Sequence, residues 1–198
     1  MKILKTNIKQ IFRLNSFKLQ KIKNNINMIE KLFDQKNRGR IIVFTYEMYH
    51  YQSLHLIYLA AILKAVGFDV YVAHCFDTTN ACEIKNHKIS SDKICSNCKI
   101  TYKKLLSTLD LKSIILRNST EIKDICLNKQ ETSIVNATTT RYYFGDEKKA
   151  NADKNIQKII SANFKNVSKF ALDIDKYYKP DLVISNMTDY SYNYPIFK

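Results

Sequence analysis

Four of the chain's five cysteines lie within one stretch of sequence, at Cys75, Cys82, Cys95 and Cys98. Thiolates are ligands that zinc prefers, and the last two form the CxxC pair common in structural zinc sites. His74 or His87 could replace a cysteine in the second half of such a site. The overall spacing is not a standard one, so buried thiols acting as small apolar groups are an equal alternative. Because the CxxC precedes a predicted helix, a redox function also stays open.

A second group of reactive side chains follows the first predicted strand. Tyr46, Glu47, Tyr49 and His50 occur within five residues, and His55 follows in the first turns of the next predicted helix. Histidine titrates near neutral pH, so His50 is the main candidate for a general base, oriented by Glu47, and His55 is the second. The alternative is that His50 is an ordinary surface histidine and that His55 lies at the edge of the core.

The same junction lacks the glycines that a phosphate-binding loop needs. The chain contains only three glycines, so neither a GxGxxG fingerprint nor a P-loop is present. A Gly-x-Ser-x-Gly elbow is absent as well, which excludes hydrolases of that family. The sequence therefore contains none of the standard glycine-rich motifs for nucleotide binding.

Basic residues dominate the composition, with a formal net charge of +14 and a pI near 9.5. Such a charge is typical of proteins that bind nucleic acid or anionic membranes. However, only five of the 32 basic residues are arginines, the side chains that contact phosphates and bases bidentately. Nucleic-acid binding is therefore not the favoured prediction.

Residues 1–38 are predicted to form a basic helical extension. Five apolar residues fall on one helical face, at Leu19, Ile22, Ile26, Ile29 and Phe33. This face could lie on an anionic membrane, but we favour its packing on the domain or on a second copy. Neither a signal peptide nor a spanning apolar segment is evident, and the few cysteines do not suggest a disulfide scaffold. We expect a cytoplasmic protein, with membrane-peripheral binding as the alternative.

The clearest architectural pattern begins after Gly39. Residues 41–46 are β-branched and aromatic, as in a buried strand, residues 51–67 are helical in pattern and end at Gly67, and residues 68–75 form a second strand. Strand, helix and strand in this order predict a parallel βαβ unit. The fold class is therefore α/β, with a Rossmann-like domain over residues 40–198.

The remaining elements are predicted less sharply. Helices are expected at residues 101–111, around Ile122 to Leu127 and across 147–178, with strands at 113–119 and 181–187 and a threonine-rich turn at 137–145. Pro180 should end the long helix. A parallel strand so close to the last residue suggests an α/β domain cut short.

Several sequence pieces together resemble the N-terminal, acceptor-side half of GT-B glycosyltransferases. They are GFDVYVAHC, the Ala81–Glu83 tripeptide ACE, the CxxC before a helix, and the long helix before PDLVISN. More narrowly, the chain resembles the group that acts in capsule and surface polysaccharide synthesis.

The resemblance implies transfer of a sugar from a nucleotide-sugar to a saccharide or lipid-linked acceptor. His50 would be the base, and the candidate substrate contacts are Tyr46, Tyr49, Arg141 and Asn186. The nucleotide-sugar would be held by a second domain or a partner chain, so the chain alone could be inactive. A bound zinc ion would stabilise the cysteine-containing loop that follows the second strand, on the acceptor side. The rival interpretation is a zinc-stabilised, non-enzymatic module whose basic surface binds nucleic acid or anionic lipid.

Overall fold

The structure, a computed structural model, describes residues 16–34, 36–45, 51–75, 91–116, 126–185 and 195. Over these residues the chain forms six α-helices: α1 (Ser16–Leu32), α2 (Tyr51–Ala65), α3 (Ser91–Thr108), α4 (Lys129–Tyr142), α5 (Glu147–Ala152) and α6 (Lys154–Tyr178). The same residues form four strands: β1 (Arg40–Thr45), β2 (Asp69–His74), β3 (Lys112–Ile115) and β4 (Leu182–Ser185). Within this part of the chain, no helix has both the length and the apolar character needed to cross a bilayer.

The four strands form one parallel sheet in the order β3-β2-β1-β4, which confirms the predicted Rossmann-like α/β class. β1 pairs with β2 from Arg40↔Asp69 to Thr45↔His74, and on its other side it pairs with β4. Ile41, Ile42, Val43 and Phe44 are at most 2% exposed. β1 is thus buried on both faces, as its continuous apolar run predicts.

The predicted βαβ unit is confirmed, including its glycine stop. At the end of α2, Phe68 N–H donates to the Leu63 carbonyl at 3.1 Å and Gly67 N–H donates to the Lys64 carbonyl at 2.9 Å. These two bonds form a Schellman motif, which requires a positive φ, and Gly67 has φ +103°. A Cβ at this position would lie 2.7 Å from the carbonyl oxygen of Lys36.

The N-terminal helix packs on the domain, as we favoured. Leu19 is buried in the main apolar cluster, and Ile22 and Ile26 pack against it. Phe33, which lies just beyond the end of α1, is 43% exposed. The helical face that could have entered a membrane is therefore largely occupied by protein.

The chain divides into two compact units. The first contains α1, α2, most of α3 and the sheet, and its core joins apolar residues of the helices to those of β1 and β2. The second contains α4, α5 and α6. Its core is smaller and centres on Val135, Ile160 and Phe164.

The prediction that the CxxC precedes a helix is wrong. α3 begins at Ser91, so Cys95 and Cys98 lie inside it rather than before it. The apolar positions of α3 explain the difference, because Cys95, Cys98, Tyr102, Leu105 and Leu109 recur every three or four residues. The thiols extend the helix's apolar face toward its N-terminus.

The prediction of a threonine-rich turn is also wrong, because most of that segment belongs to α4. A capping box starts this helix: Asn128 Oδ1 accepts from Glu131 N–H at 2.9 Å, and Glu131 Oε2 accepts from Asn128 N–H at 2.8 Å. The hydroxyls of Thr138 and Thr139 donate to carbonyls one turn earlier, at 2.9 and 2.8 Å. This local bonding and the burial of both threonines override their modest helix propensity.

The long helix predicted at residues 147–178 is divided into α5 and α6. Asp153 separates them, and its Oδ1 caps α6 by accepting from Ile156 N–H at 3.0 Å. Leu172 and Tyr177, two apolar residues within the predicted range, are 69% and 67% exposed. The predicted helix around Ile122 to Leu127 lies mostly outside the described residues.

Candidate functional site

The connectivity of the sheet singles out the carboxyl ends of β1 and β4. β1 is joined through α2 to β2 on one side, whereas its other neighbour, β4, follows more than 130 residues later in the chain, from Thr45 to Leu182. The strand order therefore reverses between β1 and β4, and such a reversal in a parallel sheet defines a topological switch point. In open α/β sheets, ligands bind outside the carboxyl ends of the strands at this point.

A buried tyrosine fixes the carboxyl end of β1. The Tyr102 hydroxyl, from α3, donates to the main-chain carbonyl of Thr45 at 2.9 Å. It also lies 2.8 Å from Thr45 Oγ1. Because the phenol has one hydrogen, which goes to the carbonyl, the Thr45 hydroxyl is the donor in the second bond. Both side chains are fully buried, so the last residue of β1 is held at two points.

A histidine at the end of β2 packs against the same tyrosine. His74 pairs in register with Thr45 and stacks on the Tyr102 ring, with centroids 4.3 Å apart and planes inclined by 14°. It is only 1% exposed. Burial, which penalises the charged form, lowers the pKa of His74 to about 4, so its imidazole is neutral at pH 7. His74 thus serves as a neutral packing group beneath the edge of the sheet rather than as a solvent-exposed base.

Five of the predicted site residues lie outside the described residues: Tyr46, Glu47, Tyr49, His50 and Asn186. Two of them can still be located along the chain, because Tyr46 directly follows β1 and Asn186 directly follows β4. Since β1 and β4 are neighbours, the chain leaves both strands at the switch point.

The two described candidates, His55 and Arg141, both belong to helices. His55 is in α2, where its side chain is exposed. Arg141 lies in the last turn of α4, in the second unit, and is partly buried.

The proposed zinc ligands are described only in part. Cys75 directly follows β2, Cys95 is buried and Cys98 packs against the apolar core of the first unit. Cys82 and His87 lie outside the described residues. Within the described ranges, no three His, Cys, Asp or Glu side chains gather as a metal site would require.

The position of the CxxC in α3 also bears on redox chemistry. Cys95 is the fifth residue of the helix, past its first turn. The helix dipole and the unpaired N–H groups that stabilise a thiolate act within the first turn. The sequence-based argument for a reactive thiol at a helix N-terminus therefore no longer applies to Cys95.

An ion-pair network at the opposite edge of the sheet was not predicted from the sequence. Asp69, the first residue of β2, binds Arg40 Nε at 2.9 Å and Lys112 Nζ at 2.7 Å, which are the first residues of β1 and β3. Burial works to raise the pKa of the Asp69 carboxyl, but hydrogen bonds from Lys112 and Arg40 outweigh it and lower the pKa. Tyr71 adds a ring under both cations. These contacts link the first residues of β1, β2 and β3.

Sequence reasoning also missed Thr45 and Tyr102 as parts of the candidate site. From the sequence, Thr45 is predicted only to be part of the first strand. Tyr102, Leu105, Leu106 and Leu109 follow the i, i+3, i+4, i+7 pattern, so a buried tyrosine could have been found from this spacing. A buried tyrosine needs a hydrogen-bond partner, but nothing in the spacing identifies that partner as the end of β1.

No protein-family model, curated protein or solved structure matches this chain.

Proposed function

We propose that this chain forms the acceptor side of a GT-B type glycosyltransferase that acts in surface polysaccharide synthesis. In this proposal the acceptor is a saccharide or a lipid-linked saccharide, bound outside the carboxyl ends of β1 and β4. The nucleotide-sugar donor is held by a second α/β domain or by a partner chain.

The observation that carries the proposal is the switch point between β1 and β4. The residues that follow these two strands are rich in groups that bind sugars, namely Tyr46, Tyr49, His50 and Asn186. Tyrosine offers a flat apolar face and a hydroxyl, and asparagine offers both a donor and an acceptor. Glycine is absent from the stretch after β1, which argues for a hydroxyl-bearing ligand at this position rather than a phosphate.

The described residues contribute rigidity to the proposed site. Tyr102 holds the Thr45 carbonyl and hydroxyl, and His74 stacks behind Tyr102. The segment that begins at Tyr46 therefore leaves β1 from a fixed point. A site that positions two reacting groups gains from such a fixed support, because small displacements of the reacting atoms slow the reaction strongly.

The proposed chemistry is a proton transfer coupled to sugar transfer. His50 takes the proton of an acceptor hydroxyl, whose oxygen then forms a bond to the anomeric carbon of the donor. The bond from that carbon to the phosphate oxygen breaks, and the nucleotide leaves with the electron pair. Glu47 orients His50 and stabilises its protonated form.

Saturation-transfer NMR with the full chain tests acceptor binding. The probes are the p-nitrophenyl glycosides of glucose, galactose and N-acetylglucosamine, each offered singly. We expect at least one to receive saturation from the protein, and we expect the Tyr46→Ala and His50→Ala variants to reduce that signal. Tyr177→Ala is the control for Tyr46→Ala, because Tyr177 is 67% exposed on α6 and is not a candidate for the site, so binding should be unchanged.

The proposal fails if none of the glycosides binds, or if Tyr177→Ala weakens binding as much as Tyr46→Ala does. The base assignment has a separate test, once a donor domain and an acceptor have been paired in a transfer assay with labelled sugar. Transfer by His50→Ala at the wild-type rate would remove His50 as the base while leaving the binding result in place.

A further inference from the structure

All five lysines of α6 lie along one side of the helix: Lys154, Lys158, Lys165, Lys169 and Lys176. At 100° per residue, they fall within an arc of about 60° on the helical wheel. The two acidic residues of α6, Asp173 and Asp175, fall outside this arc. We call these five side chains the lysine stripe.

The spacing of the lysine stripe follows a repeat of eleven residues. Lys154, Lys165 and Lys176 are eleven apart, and so are Lys158 and Lys169. Eleven residues make almost exactly three helical turns, so side chains at this interval stay in line along a straight helix. The stripe is therefore straight and extends for about 33 Å at 1.5 Å per residue.

The opposite side of α6 is occupied by the core of the second unit. Ile160 and Phe164 pack with Val135 of α4, and Phe170 and Ile174 are buried as well. Consequently α6 cannot turn its apolar face toward a bilayer, as an inserting amphipathic helix would. The groups that its outer side offers for contact are therefore chiefly lysine ammonium groups, which bind a negatively charged surface.

Two further features distinguish the lysine stripe from an ordinary solvated surface. Lys158 and Lys165, near its middle, form no ion pair with any carboxylate in the described part of the chain. Leu172 lies within the same arc, between Lys169 and Lys176, and is 69% exposed. An exposed leucine among lysines suits a surface that is anionic outside and apolar just beneath.

We propose that the lysine stripe docks the protein onto an anionic lipid leaflet. A flat leaflet can contact a straight stripe along its whole length, whereas the phosphate backbone of a duplex winds away from it. Arginine, the usual side chain for bidentate phosphate and base contacts, is absent from α6. Clusters of four to eight basic residues are typical of binding to anionic lipids, at about 1 kcal/mol for each residue.

Vesicle co-sedimentation with the full chain tests the proposal. The probes are vesicles of phosphatidylcholine alone and of phosphatidylcholine mixed with phosphatidylglycerol. We expect binding to the mixed vesicles only, and we expect its loss when salt rises from about 0.1 M to about 1 M, where screening shortens the Debye length to about 3 Å. The double variant Lys158→Glu, Lys165→Glu should bind more than about 30-fold more weakly, because the loss of two positive charges alone accounts for that factor and the leaflet repels the two new carboxylates.

The matched control is Lys129→Glu, Lys148→Glu, which makes the same change of net charge at exposed lysines outside α6. It should bind like the wild type. Residues 1–38 carry ten basic and two acidic residues and add a background attraction that is the same in every variant. Circular dichroism checks folding, and Lys158→Gln, Lys165→Gln replaces the charge-reversed pair if that pair does not fold.

Three results would overturn the proposal. One is an absence of binding to the mixed vesicles, and another is equal weakening by the α6 pair and the control pair. The third is binding to a DNA or RNA duplex that depends on Lys158 and Lys165 while vesicles are not bound, since that would assign the stripe to nucleic acid. None of these outcomes bears on glycoside binding, so the two proposals fail independently.

Discussion

The Tyr102 hydroxyl donates to the main-chain carbonyl of Thr45 at 2.9 Å, which joins α3 to the last residue of β1. Both side chains are fully buried. A side chain 57 residues away in the sequence therefore determines how the chain leaves the central strand.

Tyr102→Phe should destabilise the protein by about 1–3 kcal/mol, because it leaves the buried Thr45 carbonyl and hydroxyl without the phenol. Urea unfolding followed by circular dichroism measures the loss. Tyr177→Phe is the control, since Tyr177 is 67% exposed and its hydroxyl is accessible to water. Equal effects of the two substitutions would contradict the buried bond.

Acid should destabilise the protein through His74. The pKa of His74 is about 4 when folded, against an ordinary value of 6.5, so the unfolded state binds the proton first as pH falls. Stability from this residue is fully present above pH 6.5 and is lost progressively down to about pH 4. The total loss is about 3 kcal/mol.

The His74→Phe variant keeps a ring against Tyr102 but cannot titrate. Unfolding free energies measured between pH 7 and pH 4 should therefore fall less steeply for His74→Phe than for the wild type. Tyr177→Phe, an aromatic substitution at an exposed position that removes no imidazole, should retain the wild-type slope. Identical slopes for His74→Phe and the wild type would show that His74 is not buried as a neutral group.

Asp69→Asn should destabilise the first unit by about 1 kcal/mol, because it removes the carboxylate shared by Arg40 and Lys112. The pKa of Asp69 is lowered in the folded state, so its contribution is present above the ordinary carboxyl pKa and is lost as pH falls through the folded-state pKa. The difference between variant and wild type should accordingly shrink in acid.

A matched control for Asp69 is Asp34→Asn. Asp34 forms a 3.0 Å ion pair with Lys36, but both side chains are more than two-thirds exposed, at 68% and 83%. Thermal unfolding should place Asp34→Asn at the wild-type midpoint and Asp69→Asn below it. A reversed order would argue against the network at the amino ends of the strands.

Gly67→Ala should cost more than Gly145→Ala, although both glycines have a positive φ. The left-handed conformation alone costs an alanine about 1–2 kcal/mol. At Gly67 the new Cβ would also lie 2.7 Å from the Lys36 carbonyl oxygen, whereas at Gly145 nothing lies within 4 Å. Urea unfolding of the two variants measures the difference, and similar values would mean that the segment around Lys36 yields at little cost.

Much of the fold could be predicted from local sequence, because its signals lie within single elements. The run Ile41–Phe44 is apolar at every position, which is typical of a strand buried on both faces. Gly67 marks the end of α2, because no other residue adopts a positive φ so readily. The α/β class and the parallel βαβ unit follow from these features.

The helix boundaries that were predicted wrongly are those where residues lie in a helix although their type suggests a loop or a turn. Cys95 and Cys98 suggested a ligand loop but continue the apolar face of α3. Thr138 and Thr139 suggested a turn but bond to carbonyls within α4. In each case packing and local hydrogen bonds outweigh the intrinsic propensity of the residue.

The sequence by itself determined that the chain is an α/β protein, that β1 is buried on both faces and that no glycine-rich phosphate loop follows it. The tertiary structure alone decided that β4 lies beside β1, that Tyr102 meets Thr45 and that His74 is neutral. Strand order, partners across 57 residues and burial of a titratable group depend on contacts between distant segments. Periodicity carries no information about such contacts, because it reports only which face of one element is apolar.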